Sequence, residues 1–302
     1  MDLRTSFRYR GSALRIHAGA EAVGQLRGEL ERLGVRRALI VCGPSVARCT
    51  DLPARLAQAL GGIDLALFDG VRAGSPLPAV EAGVAAARQS RPEALIAVGG
   101  GSAVVTARAI AILLAEGRPI QELCTQYPPD GPPVSPHLRR PKLPIFNVLT
   151  TPTTAADRAG AAVLDPAARR RLELYDPKTR PVAVILDGAA LLTAPLELVR
   201  DAAANALCGV IEGLVDAELN AFALADLRQA FELLWTWLPR LHVEPHSADV
   251  RLQLATAALL CNRAADAGAA LAGLVASLAH ALQAGDERLH QGRLKAALLG
   301  PV

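Results

Sequence analysis

Apolar residues in the first half of the chain fall in short, nearly continuous runs: ALIVC (38–42), DLALF (64–68), ALIAV (94–98), IFNVL (145–149) and VAVIL (182–186). Runs this short, without polar alternation, suit strands that are covered on both faces. The intervening stretches 20–33, 51–60, 78–89 and 102–116 have the spacing of helices. Strands alternating with helices of that length predict a parallel sheet with crossover connections. Residues 125–144 interrupt the rhythm with seven prolines and read as a loop. From about 195 the strand pattern stops, and 196–240 and 248–282 read as successive helices. The predicted organisation is an α/β domain over 1–194 and an all-α domain over 195–302. No internal repeat is visible.

Composition narrows the classes. A chain of 302 residues, 51% hydrophobic and 20% charged, has the material for a substantial folded core. Aromatics are only 3%, too few for base-stacking surfaces. The net charge of +3 is scattered, and the densest basic run, Arg169-Arg170-Arg171, is too short for a nucleic-acid footprint. Five cysteines without a CxxC pair indicate neither a zinc ribbon nor a thioredoxin-type site. The start, MDLRTSFRYRGS, lacks a signal-peptide core, and the apolar region 254–282 is interrupted by Asn262, Arg263 and Asp266. No membrane contact is expected, and the expected location is cytoplasmic.

Candidate chemistry begins where the third run ends, in AVGGGSAVVTARAI (97–110). Glycines let a backbone come close to a pyrophosphate, and the N-terminus of the next helix offers N–H groups. Gly99, Gly100, Gly101 and Ser102 form neither a GxGxxG fingerprint nor a Walker loop, so alone they fit a structural corner equally well. After the next run come Thr150, Thr151, Thr153 and Thr154 around Pro152. They read either as hydroxyls for ribose and phosphate or as a strand-to-helix cap. Two such turns on neighbouring strands favour a nucleotide.

Six segments, taken together, resemble the iron-containing alcohol dehydrogenase family, relatives of glycerol dehydrogenase and maleylacetate reductase. They are FDGVRAGSP (68–76), IAVGGGSAVVTARAIA (96–111), TTPTTA (150–155), VILD (184–187), ANALCGVIEG (204–213) and GLVASLAHAL (273–282), in family order. The resemblance implies a dehydroquinate synthase-like architecture, with a dinucleotide-binding domain, a shorter helical domain and catalysis in a cleft between them. It places the pyrophosphate on Gly99, Gly100, Gly101 and Ser102, and the cofactor against Thr150, Thr153 and Thr154.

Departures from the family are informative. Where the resemblance puts four metal ligands, this chain has Asn205, Gly209, Ala276 and Gln291. Glycine and alanine offer no donor, and Asn and Gln are weak neutral ligands, so no metal is expected. His242 and His246 flank Pro245 and read as surface residues rather than a replacement site. His280 matches a second family histidine that faces the nicotinamide and is the candidate acid–base group. Asn205 is the candidate for orienting a substrate carbonyl or carboxylate, with Arg171 as a nearby basic group and His290 as a second catalytic candidate. At the ribose corner, where family dehydrogenases often have Asp, stand Gly43, Pro44 and Ser45, leaving NAD and NADP both admissible. AADRAG (155–160) replaces the family's GTGSE, and Val105 and Arg108 replace an acidic residue and a lysine. The chain is also shorter than its family: either part of the cleft wall is missing, or a partner, such as a second copy in a homodimer, completes the helical domain.

Two readings follow: a metal-independent NAD(P)-dependent reductase of a small carbonyl or oxo-acid, or an inactive relative serving as a nucleotide-binding or partner subunit. A sugar-phosphate cyclase of the dehydroquinate synthase type is a more distant third, and the lost metal ligands count against it as well.

Overall fold

The computed structural model describes residues 3–216, 218–285 and 289–299. Its main sheet has six strands: β1 (Arg15–Gly19), β2 (Arg37–Cys42), β3 (Asp64–Phe68), β4 (Ala94–Gly99), β5 (Ile145–Leu149) and β8 (Ala183–Asp187). Between β5 and β8, the strands β6 (Gly160–Asp165) and β7 (Arg170–Tyr175) form a separate antiparallel hairpin. The sheet order is β1-β8-β5-β4-β2-β3, with every neighbouring pair parallel. Five strands are the five apolar runs. β1 escapes the pattern because it is an edge strand, with Arg15 and His17 reaching Glu29. The hairpin lacks a glycine turn signal; Arg169 supplies the positive φ of 48° instead.

Helices α1 (Gln25–Arg32), α2 (Pro44–Cys49), α3 (Leu52–Ala59), α4 (Leu77–Ser90), α5 (Gly101–Glu116) and α6 (Ile120–Leu123) punctuate this order. Leu26 and Leu30 of α1 and Leu52 and Leu56 of α3 pack with Ile40, Ile96, Phe146 and Ile185 from one face of the sheet. Residues 125–144 carry no helix or strand beyond an isolated bridge between Gln126 and Val134. Lys142 closes that loop, its ammonium lying 2.7 Å from Glu116 and 3.0 Å from Asp176.

After the short α7 (Gly188–Leu192) come α8 (Leu196–Leu214), α9 (Ala221–Val243), α10 (Ala248–Asp266), α11 (Leu274–Gly285) and α12 (Gln291–Leu299). The stretch read as 196–240 is two helices, because Asn220 starts a new one by accepting the N–H groups of Phe222 and Ala223. Ala203, Ala206, Leu227, Leu234, Leu254 and Ala258 form the core of this bundle, with alanines setting the close approach of the helices. Among the described residues, no helix is long and apolar enough to cross a membrane.

The chain divides into two compact units: Leu14–Leu149 with Ala155–Ala190, and Met1–Ala13 with Thr150–Thr154 and Leu191–Val302. This differs from a single cut at 194/195. The first residues join the helical unit because Arg4 N–H donates to the Leu219 carbonyl at 2.9 Å and Phe7 and Tyr9 lie on Phe222, with ring centroids 5.6 and 5.4 Å apart.

Within the α/β unit, Asp187 at the end of β8 is wholly buried. It accepts the N–H groups of Val23 at 3.1 Å and Ala190 at 3.0 Å, and pairs with Arg55 at 3.0 Å. Burial alone would raise its pKa, but the two amides and the guanidinium together hold it below the ordinary aspartate range. The stability it contributes is therefore complete above that range and lost as pH falls through the lowered value. Asp187→Asn is expected to cost about 3–5 kcal/mol at pH 7 in urea unfolding, since it strands Arg55. The gap from the unsubstituted protein should narrow below about pH 4; a gap unchanged down to pH 3 would contradict this account.

Candidate active site

The glycine turn takes its shape from one backbone angle. Gly99 closes β4 at φ +145°, a conformation that L-residues rarely adopt, and a β-carbon there would come 3.0 Å from that of Ala103. Gly100 is extended, and α5 begins at Gly101 with no side-chain cap and no acidic residue in its first turn. The Ala103 N–H already donates to the Gly100 carbonyl at 3.1 Å, so it is the Gly101 and Ser102 amides, with the positive end of the helix dipole, that suit an anion. Ser102 has a further role not visible in sequence. Its hydroxyl accepts the Gly74 N–H at 3.2 Å, and its carbonyl accepts the Ser75 hydroxyl at 3.0 Å, stitching residues 74–75 to α5. The Ser102 proton is still available to a phosphate.

Gly43 is the extended residue before α2, and Ser45 stands exposed in that helix's first turn. Sequence reasoning left this corner without a carboxylate. Asp69, just past the neighbouring β3, pairs there with Arg48 at 3.0 Å. Burial, and secondly the charge of Asp69, push the Cys42 thiol up to about 11.

β4 and β5 pair so that Gly99 lies beside Leu149, and Thr150 is the next residue. The chain then returns to the α/β unit at Ala155, where Arg108 secures it. Arg108 is almost wholly buried in α5, and its guanidinium donates to the carbonyls of Gly160, at 3.1 Å, and Ala155. Burial pushes its pKa down to about 9, with the charge of Asp157 acting in the opposite direction. Asn147 of β5 holds the next carbonyl, that of Ala156. One signal could have revealed this clamp: Arg108 is the lone charge in the run 103–115, which is apolar apart from Thr106.

In the helical unit, Thr150, Thr151 and Thr153 are buried, and Thr153 N–H donates to the Thr151 carbonyl at 2.8 Å. The Thr154 hydroxyl accepts the Asn205 amide at 3.1 Å, which ties the threonine turn to α8. The other end of that amide, Asn205 Oδ1, is buried without a hydrogen-bond partner among the described residues. Gly209 lies one turn on, and a β-carbon there would meet only ordinary contacts with Cys261 and Leu271. Ala276 is buried, and its N–H donates to Glu212 Oε1 at 3.1 Å. Gln291 opens α12 and contacts His280 Nε2 at 2.8 Å.

His280 and His290 are both exposed. Arg171 belongs to the β6–β7 hairpin, in the other compact unit from Asn205. The residues present do not fit Fe²⁺ or Zn²⁺: two of the four positions where the resemblance puts ligands, Gly209 and Ala276, carry no side-chain donor. Among the described residues no three His, Cys, Asp or Glu side chains are grouped to hold a metal.

A family model described as iron-containing alcohol dehydrogenase matches residues 13–188. The chain belongs to this family. Among its relatives, a 4-hydroxybutyrate dehydrogenase of Cupriavidus necator is 28% identical, covering 95% of this chain and 74% of its own length. Maleylacetate reductase 2 of Cupriavidus pinatubonensis is 27% identical, over 82% of this chain and 60% of its own. The crystal structure of a sulfoacetaldehyde reductase from Bifidobacterium kashiwanohense in complex with NAD+ shares the fold, at TM-score 0.84 and 17% identity, over 96% of this chain and 74% of its own. The α/β unit with its parallel sheet, followed by helices, is the two-domain fold of iron-containing alcohol dehydrogenases.

The strained turn gives a direct test of the cradle. Gly99→Ala adds about 1–3 kcal/mol of backbone strain at the turn, and NADH binding read by nucleotide fluorescence should weaken roughly 10- to 100-fold. A dissociation constant within twofold of the unsubstituted protein would remove the pyrophosphate role.

Proposed function

We propose that the chain is an NAD(P)-dependent, metal-independent reductase of a small carbonyl or oxo-acid, similar to maleylacetate reductase. The observation that carries this reading is a combination. An uncapped helix begins behind a glycine at φ +145°, while α8 carries Gly209, without a side-chain donor, one turn from the buried Asn205 amide. In this reading Gly99, Gly100, Gly101 and Ser102 bind the pyrophosphate, and Thr150, Thr153 and Thr154 lie along the cofactor. Gly43 and Ser45 meet the ribose. A bound nicotinamide supplies hydride to the carbonyl carbon.

The chain's own residues do the rest. Thr154 holds the Asn205 amide NH₂, which leaves the amide oxygen as an acceptor for a substrate hydroxyl or N–H group. His280 donates the proton that the reduced oxygen takes up, and Gln291 orients the imidazole through their 2.8 Å contact. His290 is the second proton donor in reach of α12's first turn. NADPH is accepted as well as NADH at a corner where Arg48 stands beside Asp69.

A second reading, an inactive relative that still binds nucleotide, draws support from the exposure of His280. The two separate cleanly. Titration with NADH and NADPH should show saturable binding, and an oxo-acid panel should show turnover that His280→Ala lowers about 10²- to 10⁴-fold at unchanged nucleotide affinity. Binding without turnover across the panel would favour the inactive relative. For the metal, purified active protein should contain well under one equivalent of iron or zinc, and dialysis against a chelator should leave its rate intact. Stoichiometric metal that is needed for activity would overturn metal independence.

A further inference from the structure

The end of the proline-rich loop has no part in the reductase site, yet its backbone is firmly held. Leu138 is buried, and its carbonyl accepts an N–H of the Lys178 ammonium at 2.8 Å. The Arg140 N–H donates to Glu116 Oε1 at 3.3 Å, and the Arg140 carbonyl accepts Lys142 at 2.7 Å. The Lys142 side chain is itself fully buried between Glu116 and Asp176. Pro136 and Pro141 bracket the stretch and restrict the backbone on either side. The tip of the same loop, 127–135, is exposed throughout.

What the fixed stretch carries is positive charge. His137, Arg139 and Arg140 line a cavity of about 400 Å³ together with Glu116, Gly117 and Arg118. Pro119 follows Arg118 and disfavours the helical region there as well. Glu116 is the one acid among these lining residues, and Lys142 already neutralises it at 2.7 Å. Arg118 comes only to 3.7 Å from Glu122, beyond hydrogen-bond length. Arg140 donates one side-chain N–H to the Ala115 carbonyl at 3.1 Å, which covers the carbonyl end of α5. Holding three guanidiniums around one cavity costs free energy by like-charge repulsion, and a bound anion offsets that cost. The cavity is separate from the glycine cradle. α5 runs sixteen residues from Gly101 to Glu116, so the two lie about 24 Å apart, at opposite edges of the sheet.

We propose that this cavity is a second anion site, and that it takes a small molecule carrying phosphate. Guanidinium matches phosphate oxygens bidentately, where an ammonium would give a point contact. The volume falls toward the lower end of small-molecule pockets, which span roughly 300–1,000 Å³. The charged stretch is too short to track a nucleic-acid backbone. This site stands independently of the reductase reading.

The test uses inorganic pyrophosphate as the probe and the full chain carrying histidine labelled with ¹³C at Cε1. The chain has six histidines, few enough for His137→Gln to identify the signal from the cavity. That signal should move saturably as pyrophosphate is added at low salt. In the double variant Arg118→Gln, Arg139→Gln the midpoint should rise about 10- to 100-fold, the loss expected for hydrogen bonds between charged groups. Both residues are exposed, so the fold survives the change. The double variant Arg8→Gln, Arg10→Gln removes the same charge from another exposed segment and should leave the midpoint within twofold. An equal rise in that control would mean attraction by net charge alone and would overturn the site. So would a His137 signal that stays still, or one that a short DNA duplex moves at lower concentration than pyrophosphate. NADH affinity should stay within twofold in every variant, so none of these outcomes bears on the reductase reading.

Discussion

A carboxylate shut away from water, Asp187, sets the frame of the α/β unit. Buried charge must collect donors or stay neutral. Here the donors come from three places: the turn entering α1, the helix α3, and the start of α7. All three are thereby oriented from the end of β8. β8 pairs with both β1 and β5, so the same point sets where the sheet's carboxyl edge lies. With every strand parallel, that edge brings the end of β4 beside the end of β5, and the glycine turn beside the residue before the threonines.

A second fixed point keeps those turns in place. α5 starts at the glycine cradle, and midway along it Arg108 grips the chain that returns after Thr154. The departure of AADRAG from its family's sequence is therefore matched by a structural device, in which two buried side chains, Arg108 and Asn147, hold three backbone carbonyls. Loss of family residues at this segment does not leave it unsupported.

The helical unit is polar where the family resemblance aligns Asn205, Gly209, Ala276 and Gln291. Asn205 is anchored to Thr154, Glu212 to the Ala276 N–H, and Gln291 to His280. Lys295 of α12 is buried, and Gly292 of the same helix comes close to the Asp201 backbone.

The sequence alone determined the five central strands, the crossover helices, the helical second half and the glycine and threonine turns. These are local properties: apolar runs and turn residues. Its own pattern could not show β1 or the β6–β7 hairpin, because edge strands and hairpins mix polar residues into their period. It also could not assign residues 3–13 and Thr150–Thr154 to the helical unit, since that depends on contacts with residues far away in the chain. Asp69 beside Arg48, the Arg108 clamp and the burial of Lys295 were decided only by tertiary structure. In sequence an arginine or a lysine is a surface residue by default, and only packing from several segments at once takes its charge out of water and gives it a task.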